Sequence, residues 1–175
     1  LVGSEMCIRD RRQRVAIARA IAVSPEVILA DEPISMLDVS VRLGILNLMA
    51  DLKDKHGISF MYITHDIATA RYFAEKTAVM YVGHMVEWGD SDNVTQNPHH
   101  PYSQLLLSAV PEVGNAGKRE LGAKKGDIPL WKPTSKGCPF VTRCYHASDK
   151  CAQSMPSVTQ VSSNHFVRCH HIPNK

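Results

Sequence analysis

The sequence predicts an α/β fold built on a parallel sheet, and three observations carry that expectation. Two short apolar runs, Val27-Ile28-Leu29-Ala30 and Phe60-Met61-Tyr62-Ile63, each end in polar residues, Asp31-Glu32 and Thr64-His65-Asp66. A helix-length stretch, Ser40 to His56, lies between them. Strand, helix, strand at this spacing leaves room for the crossover that parallel strands require. In open parallel sheets the carboxyl ends of strands are where ligands bind, so both polar tips are candidate sites.

The elements follow in order. Leu1 to Asp10 shows neither a helical nor a strand period, and it reads as a foreign or unstructured leader. Gln13 to Val23 reads as a helix, with Val15, Ala18, Ile21 and Ala22 on one face and Arg12, Arg14 and Arg19 on a solvated one. Ser24-Pro25 stops it. Val27–Ala30 is expected to be a buried strand, and Pro33 breaks the chain into the loop Ser35-Met36-Leu37-Asp38. In Ser40–His56, Leu43, Leu46 and Met49 or Ala50 recur at helical spacing, with Gly57 as the stop. Ser59–Ile63 is the second strand, Ile67–Glu75 a short helix, and Ala78–Trp88 a hairpin turning at Gly83-His84. Met61, Met80 and Met85 are expected to fill the core. His84, His99 and His100 are expected in solvent.

After Gly89 the character changes. Asp92–Asn97 is polar and helix-like, and Pro101 suits the first turn of an apolar helix, Ser103–Val110. Residues 111–136 are rich in Gly, Lys and Pro and read as a linker. The expected organisation is therefore a leader at 1–11, an α/β unit at 12–90, a helical segment and linker at 91–136, and a cysteine-rich extension at 137–175.

Composition narrows the function classes. With 175 residues and 44% hydrophobic content, the chain can build one core and a small appendix. A net charge of +3, without a basic stripe around Tyr102 or Trp131, gives no case for nucleic acid. No apolar run approaches the roughly 20 residues that span a bilayer. No signal peptide is visible, so a reducing compartment is expected, where cysteines stay free or bind metal. Cys138, Cys144, Cys151 and Cys169 are spaced C-x5-C-x6-C-x17-C. Four soft thiolates complete a tetrahedral set for iron–sulfur or zinc, though none of the spacings is the tight C-x2-C of a zinc knuckle. His165, His170 and His171 flank the last cysteine as alternative zinc ligands.

Arg12-Gln13-Arg14-Val15-Ala16-Ile17-Ala18-Arg19-Ala20, Leu29-Ala30-Asp31-Glu32-Pro33, Ser35-Met36-Leu37-Asp38 and Ile63-Thr64-His65-Asp66 together resemble the second half of an ABC-transporter ATPase domain. The resemblance covers roughly residues 11 to 90 and implies the C-terminal half of a P-loop NTPase-type parallel sheet with flanking helices. Asn97-Pro98-His99-His100-Pro101-Tyr102 with Leu105-Leu106, then Gly137-Cys138-Pro139-Phe140 and Arg143-Cys144, resemble the C-terminal extension of oligopeptide and dipeptide importer ATPases. The resemblance implies ATP hydrolysis with Mg2+. Asp31 would hold the Mg2+, Glu32 would be the general base or water-positioning group, His65 would bond the γ-phosphate, and Asp38 would sit in the loop linking the two nucleotide sites of a dimer. It also implies a [4Fe–4S] cluster on Cys138, Cys144, Cys151 and Cys169, with zinc as the alternative.

The implied partners are permease subunits, a second ATPase subunit (identical or a sister chain) and, indirectly, an extracytoplasmic solute-binding protein. The implied location is the cytoplasmic face of the plasma membrane. One departure stands out. Cys7-Ile8-Arg9-Asp10-Arg11 occupies the place of the family's Leu-Ser-Gly-Gly-Gln signature, and no Gly-rich Walker A loop occurs in the sequence. A truncated gene carrying foreign leading residues is the expectation, and with it little ATP affinity for the chain alone. Two other readings remain open: a soluble ABC-type ATPase acting on nucleic acid or ribosomes, and a non-catalytic metal-binding module.

Overall fold

The computed structural model describes residues 2–110, 124 and 127–172, with side chains from Ile8 onward. Most of the expected linker lies outside the described residues. The chain divides into two compact units, Leu1–Phe73 and Ala74–Lys175. The hairpin following the second polar tip thus belongs with the C-terminal residues, where sequence reading grouped it with residues 12–90.

The first unit holds α1 (Val2–Ile21), β1 (Val27–Asp31), α2 (Val39–His56), β2 (Ser59–Ile63) and α3 (Ile67–Phe73). The strands pair in parallel, Val27 opposite Ser59 through Asp31 opposite Ile63, so both polar tips emerge at one edge. The leader is a correction: residues without an amphipathic period are helical, continuous with the next turns of α1. An Asp10–Arg14 pair at 3.0 Å spans the expected boundary at helical i,i+4 spacing.

Helix α2 ends as expected at Gly57, whose N–H donates to the Lys53 carbonyl. It buries Ile45, Leu46, Met49 and Leu52 but leaves Leu43 exposed. These side chains pack with Ala30, Ile34, Leu37 and Phe73, and Phe60 and Tyr62 join from β2. The Phe60 and Phe73 rings meet edge to face at 5.6 Å. Strand burial is one-sided, which corrects the expectation of buried strands. Alternate residues Val27, Leu29, Met61 and Ile63 are exposed, because a two-stranded sheet covered by helices on one face leaves the period-2 partners bare.

The second unit is an antiparallel four-stranded sheet in the order β3 (Lys76–Tyr81), β4 (His84–Asp90), β6 (His165–Val167), β5 (Thr159–Ser162). Val82 and Gly83 make the two-residue hairpin turn, both with positive φ. Helices α4 (Ser91–Gln96), α5 (Pro101–Ser108) and the short α6 (Asp149–Gln153) complete it. Pro101 sits in the first turn of α5, and His100 caps that helix by accepting from the Tyr102 N–H. Val79, Tyr81, Val86 and Val94 share one core with Phe140, Cys138, Cys144 and Cys151. The cysteine segment is therefore part of this unit's core, and its strand β6 pairs directly with β4.

Two glycines permit that assembly. A Cβ on Gly89 would fall on the Asn164 carbonyl oxygen where β4 and β6 meet. At Gly137 (φ 82°) a Cβ would lie 2.5 Å from the carbonyl oxygens of Cys151 and Ala152, the approach that lets the Cys138 N–H donate to Cys151 O at 2.7 Å. Met80 and Met85, expected as core, are exposed, since the pleat turns them away from Val79 and Val86. Met61 is exposed for the same reason.

Candidate active site

The edge where β1 and β2 end carries three of the predicted residues. Asp31 closes β1 and is exposed; the next N–H, that of Glu32, donates to Ile63 O at 2.9 Å and extends the ladder by one bond. The chain then turns sharply. Glu32 has φ 44°, a left-handed conformation that costs a non-glycine residue on the order of 1 kcal/mol. Its carbonyl is held by the Ser35 N–H at 3.2 Å and the Ser35 hydroxyl at 3.0 Å. This turn aims the Glu32 side chain at His65: Nδ1 lies 2.8 Å from Oε1. An ionised carboxylate only accepts, so the imidazole Nδ1–H donates.

That hydrogen bond, more than the imidazole's charge, holds the Glu32 carboxyl below its ordinary value. Glu32 is thus a carboxylate at neutral pH, able to accept a proton or orient a water. His65 is held in turn by a local frame. The Asp66 N–H donates to Thr64 Oγ1, and Asp66 Oδ1 accepts from the Ala68 and Thr69 N–H groups at the start of α3. Asp38 precedes α2 in extended conformation, exposed and without a side-chain capping bond. The structure brings Asp31, Glu32 and His65 to one edge. It places Asp38 in the following loop, with no hydrogen bond to the other three.

A cleft of about 220 Å3 beside this edge is lined by Gln13 and Ile17 of α1, Leu29, Asp31 and Glu32 of the β1 end, and Phe60, among others. Its polar lining is one amide and two carboxylates, with no cation to meet a phosphate.

The residues predicted as metal ligands lie together in the second unit. Cys138, Cys144 and Cys151 are buried side by side in its core, and Cys169 lies within electrostatic reach of all three. Burial above all, then the neighbouring thiols, raises Cys138 to about 11; burial likewise raises Cys144 and Cys169. The donor set suits a soft metal in kind. Its arrangement does not yet supply a coordination shell: among the described residues no group of three or more His, Cys, Asp or Glu side chains is disposed to hold a metal ion. Cys151 Sγ meets Ser148 Oγ at 3.5 Å, and Cys169 Sγ accepts from the His171 N–H at 3.4 Å. The histidines are engaged elsewhere. His170 Nε2–H donates to Ser154 O, and His171 Nε2 pairs with Ser148 Oγ.

His165 belongs to a network that sequence reading missed. Glu87, fully buried on β4, accepts from the His99 N–H at 2.7 Å, the His100 N–H at 3.0 Å and His165 Nε2 at 2.8 Å. Its signal was a single acid inside the apolar run Met85-Val86-Glu87-Trp88. His100, expected in solvent, is buried, and burial lowers it to about 4, so it is neutral at pH 7 with Nδ1 accepting. His84 and His99 are half-buried, stacked edge-on against Trp131 and His165.

Comparison with known proteins places these features. Residues 86–151 match the family model of the oligopeptide/dipeptide transporter C-terminal region. The dipeptide transport ATP-binding protein DppF of Haemophilus influenzae is 41% identical over 162 residues, covering 93% of this chain and 50% of that protein. This chain is a relative of the peptide-transporter ATP-binding proteins. The oligopeptide transport ATP-binding protein AppF of Bacillus subtilis agrees, at 41% identity over 162 residues, 91% of this chain and 49% of its own length. The chain spans about half the length of these relatives. A solved ABC transporter assigned to the metal-chelate type, in an inward-facing conformation, superposes with a TM-score of 0.50 at 28% identity, over 58% of this chain and 39% of that one. The α/β arrangement of this peptide-transporter relative is thus of ABC-ATPase kind. Among the described residues no helix is long and apolar enough to cross a membrane.

Proposed function

We propose that this chain is the C-terminal part of an ATP-hydrolysing subunit of an ABC importer that powers uptake of oligopeptides or dipeptides. The observation that carries the reading is the strand-tip edge: Glu32, turned back on a left-handed residue, hydrogen-bonded at 2.8 Å to His65 beside the exposed Asp31. ATP with Mg2+ would supply the reactive phosphate chain, and Asp31 would hold the metal at this edge. Glu32, kept ionised, orients or deprotonates the attacking water. His65 fixes the Glu32 carboxylate through Nδ1–H and leaves Nε2 for a phosphate oxygen. Asp38 sits on the loop that would face a second ATPase subunit, identical or a sister chain.

The match over residues 86–151 favours peptides over the metal chelates of the structural neighbour. Permease subunits and an extracytoplasmic binding protein are the remaining partners, with the chain peripheral on the cytoplasmic face of the membrane. A [4Fe–4S] cluster, or zinc, on Cys138, Cys144, Cys151 and Cys169 is a subordinate part of the proposal. It is supported by the burial of Cys138, Cys144 and Cys151 in one core, with Cys169 half-buried near them. Closing a coordination shell there would require the four thiols to deprotonate and draw together, and iron, sulfide and zinc analysis after anaerobic purification decides it.

The test is uptake of a labelled dipeptide by cells in which the chain, restored to the length of its relatives, is the sole ATPase for a peptide permease. Uptake that is abolished by Glu32→Gln supports the reading. Uptake that persists undiminished in Glu32→Gln, or that never requires the chain, refutes it.

A further inference from the structure

A chain of hydroxyls spans the turn that carries His65. Tyr62 lies on the covered face of β2, its ring 5.4 Å from that of Phe73, which is buried in the core of the first unit. Packing alone would be served as well by a phenylalanine. The tyrosine adds a hydroxyl, and a partly buried hydroxyl needs a partner. It meets Thr69 Oγ1, in the first turn of α3, at 3.3 Å. Thr69 Oγ1 in turn donates to the Asp66 carbonyl at 2.8 Å. A threonine hydroxyl has one proton, here given to Asp66, so Tyr62 is the donor in the other bond. The result is a directed chain, Tyr62 O–H to Thr69 O–H to Asp66 O.

His65 sits inside the loop that this chain closes. The Asp66 main chain beside it is held at the N–H by Thr64 Oγ1 at 3.0 Å, and at the carbonyl by the Thr69 hydroxyl and the Ala70 N–H. The Thr64 and Ala70 bonds run within the turn and α3, whereas the Tyr62 bond ties the turn to the strand. That strand, β2, is also the one whose Ile63 carbonyl accepts from the Glu32 N–H. Both partners of the Glu32–His65 contact are thereby referred to one strand, Glu32 through its N–H and His65 through the hydroxyl chain. The His65 side chain is 74% exposed, so packing does little to fix its direction. A productive contact needs its partners held to within about 0.5 Å, by supporting hydrogen bonds where packing is absent.

We propose that Tyr62 and Thr69 are positioning residues for His65: their hydroxyls brace the turn against β2 and set the direction from which the imidazole meets Glu32. Both act through the Asp66 main chain rather than on a substrate. The brace itself requires no nucleotide; its consequence for turnover rests on the ATPase reading.

The test uses the whole 175-residue chain without nucleotide. At about pH 8, above the ordinary histidine range, the long-range imidazole 15N spectrum reports which ring nitrogen of His65 carries the proton. The Glu32 contact holds it on Nδ1, whereas a free side chain in water prefers Nε2. Thr69→Val and Tyr62→Phe keep the side-chain shape and remove one hydroxyl each. Both are expected to shift His65 from the Nδ1–H form toward Nε2–H, with unfolding midpoints within a few degrees of the parent's. Thr69→Ser, which keeps the hydroxyl, is expected to retain Nδ1–H. A purely structural role would lower the midpoint and leave the tautomer unmoved. In the chain restored to the length of its relatives, Thr69→Val is expected to lower kcat about fivefold, the scale of one neutral hydrogen bond. If Glu32→Gln leaves turnover unchanged there, the ATPase reading fails while the spectrum still decides the brace. An Nδ1–H signal that persists in both hydroxyl-free variants, or that is lost equally in Thr69→Ser, overturns the brace. So does an undiminished kcat in Thr69→Val where Glu32→Gln abolishes turnover.

Discussion

Among the described residues, two glutamate–histidine pairs share the same 2.8 Å contact in opposite surroundings. In Glu32–His65 the side chains are 40% and 74% exposed; in Glu87–His165 they are 0% and 1% exposed. Water screens the first pair, so its contact contributes little to stability and leaves both groups accessible to a substrate. The second is desolvated, and its carboxylate is held by two backbone N–H groups as well as the imidazole. Its removal would leave three donors facing nothing, while its presence ties β4, the turn before α5 and β6 into one core. Distance alone does not distinguish a reactive pair from an architectural one. Exposure and the number of satisfied partners do.

The comparison can be broken most severely at Glu87. Glu87→Ala is expected to destabilise the second unit by about 3–5 kcal/mol, measured by urea unfolding, because it orphans buried donors. A loss below about 1 kcal/mol would mean the network is not holding these strands together. Next comes His100, which is buried and neutral. Its value falls from 6.5 to about 4 on folding, so the unfolded chain takes up a proton that the folded chain refuses. Stability should therefore fall as pH drops from 6.5 to about 4, by about 3 kcal/mol, and level off below. In His100→Asn, which keeps a capping side chain, that part of the acid sensitivity should disappear from the unfolding curves.

Much of the first unit was legible in the sequence, and the reasons are local. The Ser59–Ile63 strand and the stop at Gly57 follow from residue type and period, and Asp31, Glu32 and His65 stand directly after apolar runs. What escaped detection is non-local or is carried by exposed residues. Glu87 and His165 are 78 residues apart and meet only through an antiparallel pairing that no spacing encodes. The outward turn of Met61, Met80 and Met85 depends on which face of each sheet is covered. From Ile8 onward most described side chains of α1 are open to solvent, so the helix there needs no apolar stripe.

Smaller effects sharpen the other side of the comparison. Gly137→Ala should cost roughly 1–3 kcal/mol, since its Cβ meets backbone rather than a yielding side chain, and it should separate Cys138 from Cys151. Thiol-labelling rates of the cysteines would rise if so. His65→Ala should leave stability nearly unchanged while returning the Glu32 carboxyl toward 4.5, read by NMR titration. Because folding lowers that carboxyl, its small stabilisation is complete above about pH 4.5 and lost only as pH falls below it. A larger loss of stability near neutrality in His65→Ala would give this exposed pair an architectural role as well.

The most direct measurement is ATP turnover per folded molecule in the chain restored to the length of its relatives, with and without Glu32→Gln. The expected result is at least about a hundredfold loss of turnover with ATP still bound and the unfolding curve unmoved. Unchanged turnover in Glu32→Gln would contradict the assignment of the exposed pair as the reactive one.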